Sequence, residues 1–196
     1  MRRAAVVLLV LAGALAAPAD AQSPAFVKDS AADGRGALDV VRVALGRAAE
    51  GRLLGEVTME KAWTTANLRA GSGPARPSGS ICLQLYTART AGAEPPDYLV
   101  CASPAATGEE LRGRVLRDRA NGLPRQVGVA TVTRPTARTI YLRFAQSAID
   151  LPATVNFAAE AVTRARGCPR PLGCRDTAPN APATGDVTLR GTSSSG

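Results

Sequence analysis

The sequence predicts an all-β protein: an antiparallel β-sandwich of jelly-roll or immunoglobulin-like type, with about eight strands and two disulfides. Three observations predict it. From Ala37 onward, apolar and polar residues alternate with period two, the signature of strands with one buried face. Gly, Pro and Asn-Gly breaks punctuate that alternation at short intervals, with little helical periodicity between them. Four cysteines, an even number, follow a leader that directs the chain to an oxidising compartment. A closed barrel is the competing arrangement of the same strands.

The leader is read from Met1 to Ala21. Arg2 and Arg3 form a positive start, Ala4 to Ala17 an uncharged apolar run, and Ala19-Asp20-Ala21 an A-x-A cleavage site before Gln22. That run falls short of the roughly 20 apolar residues needed to span a bilayer. No cysteine stands at the cleavage site to carry lipid. The expectation is a secreted, extracellular protein without a membrane anchor. Its organisation is then a signal peptide (1–21), an extended N-terminal segment (22–36), one β-sandwich domain (37–176) and a flexible C-terminal tail (177–196).

Strands are predicted in order at Leu38–Leu45, Leu53–Glu60, Ser80–Thr87, Tyr98–Ala102, Leu111–Asp118, Val127–Thr133, Thr139–Phe144 and Thr154–Val162. In the second, Leu53, Gly55, Val57 and Met59 share one face, and Leu54, Glu56, Thr58 and Glu60 the other. In the last, Val155, Phe157, Ala159 and Ala161 face together. Ala120-Asn-Gly-Leu123 is a hairpin signal, and Arg134-Pro-Thr136 separates two strands because proline cannot donate to a ladder. The connection Thr65–Gly79, with its Gly-Ser-Gly-Pro run, is long enough to predict a functional or mobile loop.

Four cysteines permit three pairings. Spacing favours Cys82 with Cys101, because the runs around them pair antiparallel with Gln84 opposite Leu99 and Tyr86 opposite Asp97. Cys168 and Cys174 then close a Pro-rich loop. Loop entropy assigns about 3 kcal/mol to the first bridge and about 2 kcal/mol to the second. A zinc site built from the same thiolates lacks histidine and C-x-x-C spacing.

The chain contains no histidine, which removes Ser-His-Asp and Cys-His catalysis and H-E-x-x-H zinc proteolysis together. No G-x-S-x-G elbow or P-loop is present. Glu56 and Glu60 share a strand face, but four residues of extended chain hold them about 13 Å apart. A glycosidase pair needs roughly 5 to 9.5 Å. No catalytic residue is assigned.

Two binding candidates remain. Asp29, Asp33 and Asp39 precede the first long strand, and Asp176 with Asn180 follows the second disulfide, so their oxygens converge on calcium if the ends of the domain meet. Turn and cap hydrogen bonding is the ordinary use of the same residues. Trp63, at a strand end, is the candidate stacking platform for a sugar, against the ordinary role of capping the core. The net charge of +8 comes almost entirely from arginine, and these residues read as GC-rich coding spread over a solvated surface. They are not interleaved with aromatics, which argues against nucleic acid.

The stretches Asp29-Ser-Ala-Ala-Asp33-Gly-Arg-Gly-Ala-Leu38-Asp39, Val129-Ala-Thr-Val-Thr-Arg134-Pro, Ile140-Tyr-Leu-Arg-Phe144, Leu151-Pro-Ala-Thr-Val-Asn-Phe157 and Cys174-Arg-Asp176-Thr-Ala-Pro179-Asn180 resemble small secreted β-sandwich proteins of high-GC actinobacteria. The resemblance implies a fold without an assigned activity. Arg35 stands where such proteins often have a second acidic residue, and Asn180 where a closing Asp is common. The functional expectation is a non-enzymatic extracellular module, binding or structural, that presents its loops to a glycan, cell-wall or protein partner. The competing expectation is a carboxylate-dependent glycoside hydrolase or a carbohydrate-binding protein.

Overall fold

A computed structural model describes residues 23–30, 36–69, 78–88, 95–105, 110–119, 122–164, 167–168, 173–180 and 182–189. The leader, Asp33, residues 70–77 of the long connection, the Asn121 turn position and residues 190–196 lie outside them.

Eleven strands form: β1 (Ala25–Lys28), β2 (Val40–Ala48), β3 (Arg52–Met59), β4 (Ser80–Tyr86), β5 (Tyr98–Pro104), β6 (Leu111–Arg117), β7 (Arg125–Thr133), β8 (Thr139–Ala145), β9 (Thr154–Thr163), β10 (Cys174–Ala178) and β11 (Gly185–Thr188). All eight predicted strands are present, as β2 to β9. The all-β, antiparallel, doubly disulfide-bonded expectation therefore holds in its coarse form.

Strand count and sheet arrangement differ from the expectation. The strands join one continuous antiparallel sheet in the order β1-β2-β3-β8-β7-β6-β5-β4-β9-β10, with β11 also pairing β9. Every long strand is paired on both edges, so there is no break at which two separate sheets divide. The sheet curls until its ends meet: β10 lies against β2, and β1 against β11. Curling brings the end strands against one another, which shields the edges an open sheet would present, although β1 and β10 are not hydrogen-bonded to each other. The Val40 amide donates to Asp176 Oδ2 at 2.6 Å across this seam.

The three added strands are four or five residues long, too short for alternation to stand out. β1 falls in the segment read as extended, and β11 in the stretch read as a flexible tail, yet Gly185–Thr188 pairs with Thr154–Phe157. Val187 and Leu189 are buried there, and their apolar contact holds the segment down.

Alternation places one face of each strand inside. Leu53, Val57 and Met59 of β3, Ile81, Leu83 and Leu85 of β4, Leu142 and Phe144 of β8, and Val155 and Phe157 of β9 share one core. Opposite walls touch through it. A Cβ at Gly55 of β3 would lie 2.0 Å from Leu83 Cδ1 of β4, so only glycine fits beneath that leucine.

Between β3 and β4 the chain crosses one end of this barrel-like sheet. Its 3-10 turn at Thr65–Leu68 carries Leu68 into the core beside Trp63. The described part of the long connection is thus an end plug.

Candidate functional site

Strands β5 to β8, which are consecutive neighbours in the sheet, carry an uneven charge. β5 to β8 contain Arg112, Arg114, Arg117, Arg125 and Arg143 and no acidic residue. Period-two alternation turns Arg112, Arg114 and Arg143 outward, because their neighbours Val115, Leu142 and Phe144 are buried. Register then gathers them. Arg143 stands opposite Thr131 of β7 and Leu54 of β3. Gly113 pairs with Ala130, which sets Arg112 opposite Thr131 on the other side. Two strand spacings hold Arg112 and Arg143 about 10 Å apart, with Arg114 about 7 Å further along β6.

Gly113 makes that approach close. A Cβ there would lie 2.1 Å from the Ala130 carbonyl oxygen.

A groove of about 320 Å³ runs along this outer face, lined by Glu50, Arg52, Leu54, Thr131, Thr133, Tyr141 and Arg143. Tyr141 and Arg143 are two residues apart on one strand, so phenol and guanidinium share a face. Among the described residues, the side chains of Arg52, Arg112, Arg114, Arg125 and Arg143 have no ion-pair or hydrogen-bonding partner. Neighbouring like charges repel, and the one carboxylate lining the groove, that of Glu50, forms no ion pair with them. The arrangement can hold an anion by forked guanidinium hydrogen bonds, with hydroxyls and one aromatic ring beside it.

An acidic cleft elsewhere on the molecule is spoken for by internal contacts. At the end where β5 begins, a cleft of about 470 Å³ is lined by Asp97, Tyr98, Arg117, Asp118 and Asp150. The Tyr98 hydroxyl donates to Asp150 Oδ2 at 2.5 Å, and Arg117 pairs with the same carboxylate at 3.3 Å. Burial, then the bond to Asp150, pushes the Tyr98 phenol up to about 12. Asp97 accepts from the Thr87 and Ala88 amides at 2.8 and 2.9 Å, binding the chain reversal there. Of the carboxylates lining this cleft, Asp97 and Asp150 are engaged in holding the chain together.

Trp63 is corrected from stacking platform to plug. It is only 2% exposed, its indole N–H donates to the Arg138 carbonyl at 3.2 Å, and the Arg134 guanidinium covers its ring at 4.1 Å. Arg134 also donates to the Trp63 carbonyl oxygen. A ring covered on one face and packed on the core on the other offers nothing to a sugar.

Of the five calcium candidates Asp33 lies outside the described residues, and the other four lie near the seam. The Asn180 amide donates to Asp29 Oδ1 at 3.3 Å, the Asp29 amide donates to the Val41 carbonyl at 3.0 Å, and Asp176 receives the Val40 amide next to Asp39. Among the described residues no group of three or more His, Cys, Asp or Glu side chains is placed to hold a metal ion. Asp29, Asp176 and Asn180 hydrogen-bond to protein groups at the ends of the sheet, and Asp39 is buried, its carbonyl accepting from the Glu60 amide.

Cys82 and Cys101 are opposite in register and bonded, with Gln84 opposite Leu99 as the sequence predicts. Cys168 and Cys174 form the second disulfide. Two disulfides suit an oxidising surrounding, and no helix among the described residues is long and apolar enough to cross a membrane. Glu56, half of the rejected carboxylate pair, is bonded to Arg42.

Fold and groove together define the class: an antiparallel β protein curled toward a barrel, with an arginine-rich outer face. Compared with protein-family models, with curated proteins and with solved structures, the chain matches none.

Proposed function

We propose that this chain is a non-enzymatic exported module that docks on an extracellular glycan or cell-wall polymer through the groove of Thr131, Thr133, Tyr141 and Arg143. The observation that carries this reading is the set of donors along that groove that have no partner within the fold. Groups that hold a structure together are paired, as in the Tyr98–Asp150–Arg117 cluster. Unpaired guanidinium groups beside hydroxyls and an aromatic ring are the equipment of recognition. A sheet face is also rigid, so the donors are positioned before the ligand arrives.

The test is co-sedimentation of the purified chain with insoluble cell walls and a panel of polysaccharides, alongside Tyr141→Ala. Retention on at least one polymer, weakened at least fivefold by the substitution, is expected, with no release of reducing ends. Tyr141 lies on the outer face, so circular dichroism and thermal unfolding should stay close to those of the parent. No retention on any polymer sinks the reading, and polymer cleavage transfers it to the hydrolase class.

A further inference from the structure

We infer that the polymer recognised by this face is a polyanion, one carrying repeated carboxylate or phosphate groups. This deepens the docking reading above and rests on it.

Charge complementarity is the first ground. Four consecutive strands present five arginines and no acid, and only Arg117 is neutralised, by Asp150. A single anion would answer one guanidinium. Arg143, Arg112, Arg114 and Arg52 are spread over β8, β6 and β3, too far apart for one small ion. Their separations of about 7 to 10 Å, fixed by strand rise and strand spacing, suit anionic groups repeated along a chain.

The chemistry of the lining is the second ground. The unpaired cations on this face are arginines, as nearly all basic residues of the chain are, and their planar fork matches carboxylate and phosphate oxygens two at a time. Tyr141 is the one aromatic side chain of the groove, with Thr133 opposite it on β7 and Glu56, which is held by Arg42, opposite it on β3. Sequence-tolerant binding of a nucleic-acid strand uses a series of stacking aromatics, which this face lacks. Hydroxyl-lined, sparsely aromatic and cationic, it fits an acidic glycan or a phosphate-bearing wall polymer.

The probes are polygalacturonate, its fully methyl-esterified form, long-chain inorganic polyphosphate and single-stranded oligodeoxythymidylate, each immobilised and titrated with the purified chain. Four arginine contacts predict that raising salt threefold weakens binding by about 20-fold, from a slope of about 0.7 per neutralised charge. Arg112→Gln/Arg143→Gln should cut that salt effect to about fivefold. Both substitutions are on exposed positions, and unchanged circular dichroism certifies the fold.

Binding to polygalacturonate alone assigns a carboxylate source, and to polyphosphate alone a phosphate source; either supports the inference. Equal affinity for polygalacturonate and its methyl ester overturns the polyanion inference while leaving glycan docking intact. Oligodeoxythymidylate bound as tightly as both other anions overturns it in favour of nucleic acid. An unchanged salt dependence in the double variant also overturns it. Failure to bind any of these probes, with retention on neutral polysaccharides or whole walls, sinks the inference alone; failure everywhere sinks the docking reading too.

Discussion

Gly55→Ala should destabilise the protein, and the reason is the closure of the sheet. Gly55 is in β3 and Leu83 in β4, which are separated along the sheet by β8, β7, β6 and β5. Their contact therefore runs through the interior. An added Cβ would lie 2.0, 3.1 and 3.4 Å from Leu83 Cδ1, Cγ and Cδ2. Ordinary carbon contacts sit at about 3.5 to 4.0 Å, so relief requires the leucine to leave its rotamer. Leu83 is fully buried, and its neighbours leave it little room to turn. Overpacking of this kind costs about 1–3 kcal/mol, which in a chain of this size lowers Tm by roughly 2–12 °C. Leu83→Ala alone should cost about 2–5 kcal/mol through the cavity it opens. In the double variant the alanine methyl enters part of that cavity, so the combined loss should fall short of the sum by at least about 1 kcal/mol. Urea unfolding of the four proteins, with disulfides intact, measures the cycle. Additivity within about 0.5 kcal/mol refutes the contact between walls and with it the curled sheet.

Two further outcomes follow from buried groups. Trp63 is the only tryptophan, so its fluorescence reports the plug directly: emission should be blue-shifted and poorly quenched by iodide, and Arg134→Ala should expose it and cost about 1 kcal/mol. A freely quenched native tryptophan refutes the plug. Glu160, raised above the ordinary 4.5 by burial and partly lowered by Arg175, binds its proton more tightly when folded. Stability should then fall as pH rises from 4.5 through the folded value, and Glu160→Gln should remove that fall and be the more stable above it. Parallel pH profiles of Tm for parent and variant refute this assignment.

The alternation of small blocks was enough to place all eight long strands and the Cys82–Cys101 rung. That information is local: one face apolar, turns between, and two cysteines in reach across a hairpin. Closure was not local. Ala25–Lys28, Cys174–Ala178 and Gly185–Thr188 are brief, and each becomes a strand only because an edge of β2 or β9 is already there to receive it. The seam residues Asp29, Asp39, Asp176 and Asn180 were recognisable as a set meeting at the domain ends, but carboxylates on backbone amides and carboxylates around calcium share one composition. Trp63 was ambiguous for a similar reason. A strand-end tryptophan is plug or platform according to what covers it, and Arg134 lies 71 residues away.

The arginine face shows how a site hides in an otherwise ordinary composition. Along the chain, Arg143 lies 29 residues beyond the Arg112/Arg114 pair, and in a chain of 24 basic residues the three look like coding bias. A signal was nonetheless present: the four strand segments 98–104, 111–117, 125–133 and 139–145 lack any Asp or Glu. β1, β2 and β4 lack acids too, but β5 to β8 are the run of four consecutive segments that does so while carrying five arginines, whereas Glu56 and Glu160 stand in β3 and β9. Antiparallel pairing of four consecutive segments converts that run into a single surface, since each strand is the spatial neighbour of the one before it. Acid depletion over consecutive strands is thus a charge pattern in space, and it persists although pairing these guanidinium groups with nearby carboxylates would relieve their mutual repulsion.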